Sequence, residues 1–412
     1  MSTQIFTNIG WLISTRGQTK LLRGKELGDL PAVKNAYIVI EGNTIAEYGE
    51  MKSCRYNDKQ CMNIPPGTIV MPCWCDSHTH LVFAGSREDE FVDKIKGLSY
   101  AAIAEKGGGI LDSAKKIRDT SEDELFHLSW KRLQEVSRLG TGAVEIKSGY
   151  GLSAEDELKM LRVIKKLKEK SSLAIRSTFL GAHAYPLVYK ENHKGYIDSV
   201  INEMLPVIAK EKLADFIDVF CETGFFSAEE MEMIVNAGRQ YGLLPKLHVN
   251  QLSSIGGIQK GIELNALSLD HLETLTGEEI HLLGSFSGCA TLLPTAAFFL
   301  RMHYAPARQL IDANAAVTLA SDYNPGSSPS GNMNLVMSMS CIQMKMLPEE
   351  AINAATINGA YALALENEAG SITIGKKANL IFTKPVPSLA YLAYSFGTNL
   401  VNKVMINGEF IS

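Results

Sequence analysis

Nowhere does the chain hold the roughly 18 uninterrupted apolar residues that a membrane-spanning helix needs, so no membrane association is expected. Its first residues, MSTQIFTNIGWLISTRGQ, lack the basic start and sustained apolar run of a secretory signal. A large charge of one sign is missing too: the net charge is −5, with 40 Lys and Arg against 45 Asp and Glu. Beyond the solvated segment KKLKEK there is no basic stripe, which argues against a nucleic-acid partner. Cysteine is sparse, seven in 412 residues, and Cys73 and Cys75 have no second pair at zinc-ribbon spacing. Scattered, odd-numbered thiols point to a reduced cytoplasmic protein rather than a disulfide framework. No internal repeat or low-complexity tract is present. What is there is ordinary for a globular enzyme: 46% hydrophobic and 21% charged residues, enough for one large or two unequal domains.

Both ends of the chain read as short strands. AYIVIEGNTIAEYGE carries β-branched alternation on either side of a Gly-Asn turn, a hairpin signal. GSITIGKKANLIFT and NKVMINGEFIS each read as strand, turn, strand. In between, helices appear. SAEDELKMLRVIKKLKEK opens with Ser153 and Asp156 at capping-box spacing, and Leu158, Leu161, Ile164 and Leu167 fall on one face. SAEEMEMIVNAGRQYG repeats the device with Ser227, Glu230 and the stripe Met231, Ile234 and Val235. Apolar runs alternate with such helices at 68–75, 142–147, 174–181, 215–221, 244–249, 266–270, 288–293 and 315–321. Eight strands alternating with helices over some 300 residues predict an α/β fold, a (β/α)8 TIM barrel. The expected domains are a composite β-sandwich from 1–70 plus 372–412 and a barrel over 71–371.

Catalytic groups of such barrels sit at the C-terminal ends of the strands. Five of the nine histidines stand there: His78, His80, His183, His248 and His271, while 127, 193, 281 and 303 fall in helices or loops. In CDSHTH, residues two apart project to the same side of a strand, so His78 and His80 point together. Alone, H-x-H fits a polar loop with two unrelated histidines as well as a metal site. With His248 after strand five and Asp322 after strand eight, three imidazoles and a carboxylate make a site for a first-row cation. Few protein ligands leave room for water, whose pKa falls to roughly 7 on zinc. Asp322 beside that water can take its proton and pass it to a leaving nitrogen.

These residues resemble the amidohydrolase superfamily. Within it, CDSHTHLVFAGSREDEF, EIKSGYGLSAEDELKML, TFLGAHAYP, LHVNQ, LDHLE and LASDYNPGSSPS look like the imidazolonepropionase family, over essentially the whole chain. The resemblance implies one divalent or trivalent metal ion, zinc or iron, on His78, His80, His248 and Asp322. It implies hydrolysis of the ring C–N bond of 4-imidazolone-5-propanoate to N-formimidoyl-L-glutamate. Carried over position by position, Arg87, Tyr150 and His183 match residues that hold the substrate. Asn324, Gly326 and Ser327 match a loop that contacts substrate or product, and His271 a histidine near the scissile group. Gln251 falls where some relatives carry glutamate; an amide can orient a substrate but cannot accept a proton at neutral pH.

The residues themselves agree on charge. A small organic acid needs a cation, and a guanidinium grips a carboxylate with two parallel bonds. Arg87 follows the metal strand closely, in SREDE, where a surface salt bridge is the alternative. Lys147 lies on strand two rather than strand four, so a carboxylated lysine bridging two metals is not expected; structural hydrogen bonds are. The competing function is deamination of a cyclic amidine or guanine-like base, which needs no carboxylate clamp. A non-catalytic metal-binding barrel is the remote third reading. The expected partners are a small anionic substrate and a second copy of the chain in a homodimer.

Overall fold

The computed structural model describes residues 2–98 and 108–411. The N-terminal strands are β1 (Thr3–Ile13), β2 (Ala32–Glu41), β3 (Thr44–Glu50), β4 (Cys61–Asn63) and β5 (Ile69–Pro72). Next come β6 (Trp74–Asp76), β7 (Thr141–Lys147), β8 (Ala174–Ala182) and β9 (Phe216–Cys221). They are followed by β10 (Leu244–Val249), β11 (Ser268–His271), β12 (Cys289–Leu292) and β13 (Val317–Leu319). The chain ends with β14 (Leu380–Thr383), β15 (Val401–Ile406) and β16 (Glu409–Phe410).

Strands β6 to β13 lie in one eight-stranded sheet in simple sequence order, and every neighbouring pair is parallel. That is the TIM barrel read from the sequence. The remaining strands form one mixed sheet from both termini, ordered β16–β15–β14–β5–β1–β2–β3 with β4 beside β1. The sheet folds over a core of its own, where Phe6, Ile38, Val70, Leu380, Phe382 and Met405 meet. Its two ends come together: Ala378 N donates to Asn43 O at 2.9 Å, and Gln4 Nε2 donates to Gly408 O at 2.6 Å.

Two strand expectations need correction. The run 68–75 is not one strand. Ile69–Pro72 pairs with β1 and β14 in the terminal sheet, and Trp74–Asp76 pairs with β7 in the barrel. Periodicity cannot see that change of partner, because both halves are equally buried. In GSITIGKKANLIFT only Leu380–Thr383 is a strand; Ile372 makes an isolated bridge to Thr15, and Gly375 turns with φ +89°.

The helices follow their caps. Ser153 Oγ accepts from Asp156 N at 3.2 Å, and Leu158, Leu161, Ile164 and Leu167 are buried beneath Ala154–Lys170. Ser227 and Glu230 form a full capping box that starts Ala228–Arg239. Each such cap is worth roughly 1 kcal/mol, but the buried stripe is what fixes the helix on the barrel. No helix among the described residues is long and apolar enough to cross a membrane.

The barrel seam, between its first and last strands, positions the site. Asp322 N donates to His78 O and His80 N to Tyr323 O, both at 2.9 Å. Asp76 accepts from Ser321 N at 2.9 Å and Ser321 Oγ at 2.5 Å. Alternation along Asp76, His78 and His80 therefore closes the barrel with the backbone of the very residues whose side chains enter it.

Candidate active site

His78, His80, His248, His271 and Asp322 converge inside the C-terminal mouth of the barrel. Potential ligand atoms of His78, His80 and Asp322 lie within 4.8 Å of one another, as do those of His78, His248 and His271. Asp322 Oδ1 is 3.6 Å from Nε2 of both His78 and His80. All five side chains are buried. Burial depresses the pKa of His78, His80 and His248 far below 6.5, so all three imidazoles are neutral. His78 Nδ1 lies 2.7 Å from Asp270 Oδ2, and His248 Nδ1 lies 2.8 Å from Asp218 Oδ2. These carboxylates accept hydrogen bonds from Nδ1–H, which leaves each Nε2 lone pair facing the cluster. His78 Nε2 is buried with no hydrogen-bond partner among the described residues. Lone-pair nitrogens converging on a carboxylate oxygen are a donor set for a single cation, and the group is a potential metal site.

His271 stands apart in two respects. Its backbone has φ +87°, a conformation that costs a residue with a side chain of order 1–3 kcal/mol and is tolerated mainly at functional sites. Asp322, at φ +51°, shares the feature. Burial alone would lower the His271 pKa, but the Glu273 carboxylate, 3.4 Å from Nδ1, together with Asp322 and Asp270 raises it. Asp322 is pushed up to about 6 by burial, against the pull of His271 and of its bonds to Asn324 and Ser327. A bound cation acts the other way and favours the carboxylate.

Beneath this ring the barrel interior holds charge where such barrels normally hold Val, Ile and Leu. Lys147 Nζ contacts Glu145 Oε1 at 2.6 Å and Asp218 Oδ2 at 2.9 Å, and lies 3.8 Å from Asp270 Oδ2. Lys246 Nζ is 3.3 Å from Glu145 Oε2, 3.9 Å from Asp270 Oδ2 and 2.7 Å from Ser268 Oγ. Every one of these charged side chains is fully buried. Burial alone would lower the Lys147 pKa, but Asp218, Glu145 and Asp270 raise it, so it stays an ammonium. Lys147 thus makes the hydrogen bonds expected under the site. Strand four supplies no bridging group: Glu222 is spent on Thr223 N, Leu252 N and Ser253 N, holding the loop after β10.

At the mouth, His183 stacks on His80 with ring centroids 5.2 Å apart, and its Nδ1 bonds Gly149 O at 3.1 Å. Burial lowers its pKa to about 4, so it too is neutral. The buried ring of Tyr150 sits 5.6 Å from that of His80 and 5.5 Å from that of His183. Gln251 is half-buried after β10, and its carbonyl accepts from Thr274 Oγ1 at 3.4 Å. The four histidines set aside, 127, 193, 281 and 303, are all exposed.

Four residues in and beside the loop after β13 make contacts that the sequence does not show. Arg87 reaches the loop after β13, but its Nε and Nη2 are forked onto Glu90 at 2.8 and 2.6 Å. The salt bridge inside SREDE and the approach to the site are both real, and the two-bond fork is already engaged. Asn324 is a loop-builder. Its Oδ1 accepts from Gly326 N and Ser327 N, and its Nδ2 donates to Asp322 O and Ser327 Oγ, which exhausts the amide. Ser327 Oγ lies 3.1 Å from Asp322 Oδ2 and steadies that carboxylate. Gly326 is needed because a Cβ there would collide with the Arg87 guanidinium.

Sequence reasoning missed Asp218, Asp270, Glu145, Lys246 and Glu273. Four of these are charges at inward positions of otherwise apolar strands. That oddity was the signal that could have found them.

Residues 69–411 match the amidohydrolase family. An imidazolonepropionase of Flavobacterium johnsoniae is 55% identical over 409 residues, 99% of either chain. An imidazolonepropionase of Fusobacterium nucleatum is 41% identical, covering 99% of this chain and 98% of its own. Among solved structures, Escherichia coli guanine deaminase superposes with a TM-score of 0.74 at 13% identity, over 100% of this chain and 99% of that one. A zinc-bound adenosine deaminase of Xanthomonas campestris gives 0.71 at 16% identity, over 99% and 92%. At such identities the structural likeness speaks for the fold alone.

Proposed function

The chain belongs to the amidohydrolase family and within it to the imidazolonepropionases, and from that premise we propose how its site cleaves 4-imidazolone-5-propanoate. The reaction is hydrolysis of the ring C–N bond to N-formimidoyl-L-glutamate, a step of histidine degradation. What supports the reading is the buried cluster of neutral imidazoles: His78 and His248 held by Asp270 and Asp218, with His78 and His80 both 3.6 Å from the carboxylate of Asp322.

His78, His80, His248 and Asp322 would hold one metal ion, zinc or iron, which when bound supplies Lewis acidity and brings water toward ionisation near neutral pH. Asp322 takes a proton from the attacking water. The water oxygen bonds to the ring carbonyl carbon, the bond from that carbon to ring nitrogen breaks, and the proton goes to the departing nitrogen. The former carbonyl becomes the new carboxylate. His271, whose pKa Glu273 raises against the effect of burial, donates a hydrogen bond to the carbonyl oxygen as charge develops there. Gln251 orients the ring and takes no proton. Tyr150 and neutral His183 line the mouth, and Arg87 faces the propionate.

A deaminase of a neutral base would have no use for Arg87 at the rim of the site, and the imidazolonepropionase relatives favour the acid substrate. Seven free cysteines fit an enzyme of the reducing cytoplasm. The test is direct: purified protein should remove the ultraviolet absorbance of 4-imidazolone-5-propanoate and form N-formimidoylglutamate. Turnover of guanine with none of the imidazolone would refute the assignment.

A further inference from the structure

The charged column below the site is costly to bury, and replacing buried ion pairs by apolar residues is often neutral or stabilising. Helix packing touches it where Lys246 Nζ donates to Ala362 O at 3.1 Å, and a barrel does not need it. Its connectivity is specific. Asp270 holds His78 and Asp218 holds His248, and these two carboxylates come from different strands, β11 and β9. One group approaches both: Lys147 Nζ, 2.9 Å from Asp218 Oδ2 and 3.8 Å from Asp270 Oδ2. In each case it faces the same oxygen that holds the imidazole. Glu145 in turn fixes the ammonium from two residues back along β7, and Thr178 Oγ1 donates to Glu145.

We propose that Lys147 is a positioning residue that couples His78 to His248 through Asp270 and Asp218, so that one buried ammonium sets the affinity of the site for its metal. The inference rests on reading the cluster as a metal site. Lys246 serves as a contrast. It touches Glu145 at 3.3 Å and Ser268 at 2.7 Å but stands 3.9 Å from Asp270, and no contact of its ammonium with Asp218 is present among the described residues. Both lysines carry the same charge at similar depth, and only Lys147 reaches both carboxylates.

Two double variants separate positioning from charge balance. Lys147→Met/Glu145→Gln and Lys246→Met/Glu145→Gln each remove one positive and one negative charge from the column, leaving its net charge unchanged. Zinc affinity is measured on metal-stripped full-length protein by competition with a chromophoric chelator, and cobalt(II) spectra report ligand geometry. Loss of one outer-shell partner typically costs 10- to 100-fold in affinity. Lys147→Met/Glu145→Gln, which loosens two, should lose at least ~10²-fold and show an altered cobalt spectrum. Lys246→Met/Glu145→Gln should stay within about threefold of wild type, its spectrum unchanged, since it leaves Asp218 and Asp270 bound to Lys147. Equal losses in both pairs, or none in the first, would overturn the proposal.

If the Lys147 pair does not fold, Asp218→Asn, Asp270→Asn and their combination serve instead. Sites coupled through one ammonium should give a combined loss that departs from the product of the single losses by more than about threefold. Independent losses would overturn the coupling. Wild-type protein that binds no zinc or cobalt at all would instead refute the metal site itself.

Discussion

Arg87 is where substrate identity can be tested most sharply. Its guanidinium is about a tenth exposed, and Nε and Nη2 are committed to Glu90, which also accepts from Gly109 N at 2.7 Å. The edge carrying Nη1 lies against Gly326 in the loop that holds Asp322. With the fork on Glu90, a carboxylate held by Arg87 would take one charge-assisted bond rather than two. Such a bond contributes about 1.5–3 kcal/mol, or about 10- to 150-fold in kcat/KM. Arg87→Ala alone strands a nearly buried Glu90 and would confuse folding with binding. The clean comparison is Arg87→Ala/Glu90→Gln against Glu90→Gln. The assay is kcat/KM on 4-imidazolone-5-propanoate and on an imidazolone lacking the carboxylate, with Tm recorded for each variant. The double variant should lose about 10- to 150-fold on the acid and almost nothing further on the neutral analogue. Equal losses on both compounds would refute the reasoning and make Arg87 a support for the loop alone.

Asp322→Asn keeps its shape but loses the proton acceptor, so kcat should drop at least ~10²-fold. Metal content measured in the same sample must stay near wild type for that reading to stand. His271→Ala should lower kcat while one metal per chain is retained; normal turnover would remove His271 from the mechanism. Gly326→Ala should displace the guanidinium and lower kcat/KM on the acid by about 10-fold, the scale of one charged contact. An unchanged KM would show that the loop gives way freely. In metal-free protein the buried histidines oppose acid, while Asp322, pushed up to about 6, and Asp76 and Glu157, each pushed up to about 7, favour it. His78, His80, His248 and His183 all have folded pKa values below the unfolded 6.5, so their contribution is present above about 6.5 and disappears as pH falls through their folded values. His271, shifted the other way, adds stability below 6.5 that is lost as pH rises, and offsets part of this. Each extra proton on the unfolded chain is worth about 1.4 kcal/mol per pH unit, so the slope near pH 5 is at most roughly 5 kcal/mol per unit. Ring-proton NMR titrations of metal-free protein in which His78, His80 and His248 protonate near 6.5 would sink the neutral-imidazole reading.

The parts that were legible share a local cause. Alternation put His78 and His80 on one side because a strand has a period of two, and caps at Ser153 and Ser227 started helices through bonds within one turn. Asp322 was legible because it directly follows an apolar run. The misreadings share a cause too. Val70 and Cys75 lie in one apolar stretch, and which sheet each joins depends on partners far away in the chain. The bonds that tie the Asn324 amide into its own loop were not legible either.

By itself the sequence determined the barrel, the terminal β-structure and the identity of the groups at the strand ends, because periodicity, capping and residue chemistry are properties of neighbours along the chain. Only the tertiary structure decided which carboxylate orients which imidazole, that Glu90 holds Arg87, and that Lys147 stands between Asp218 and Asp270. Apart from Arg87 and Glu90, those contacts join residues 30 or more positions apart in the chain. Their distances are set by the closure of the barrel, and no local pattern encodes them.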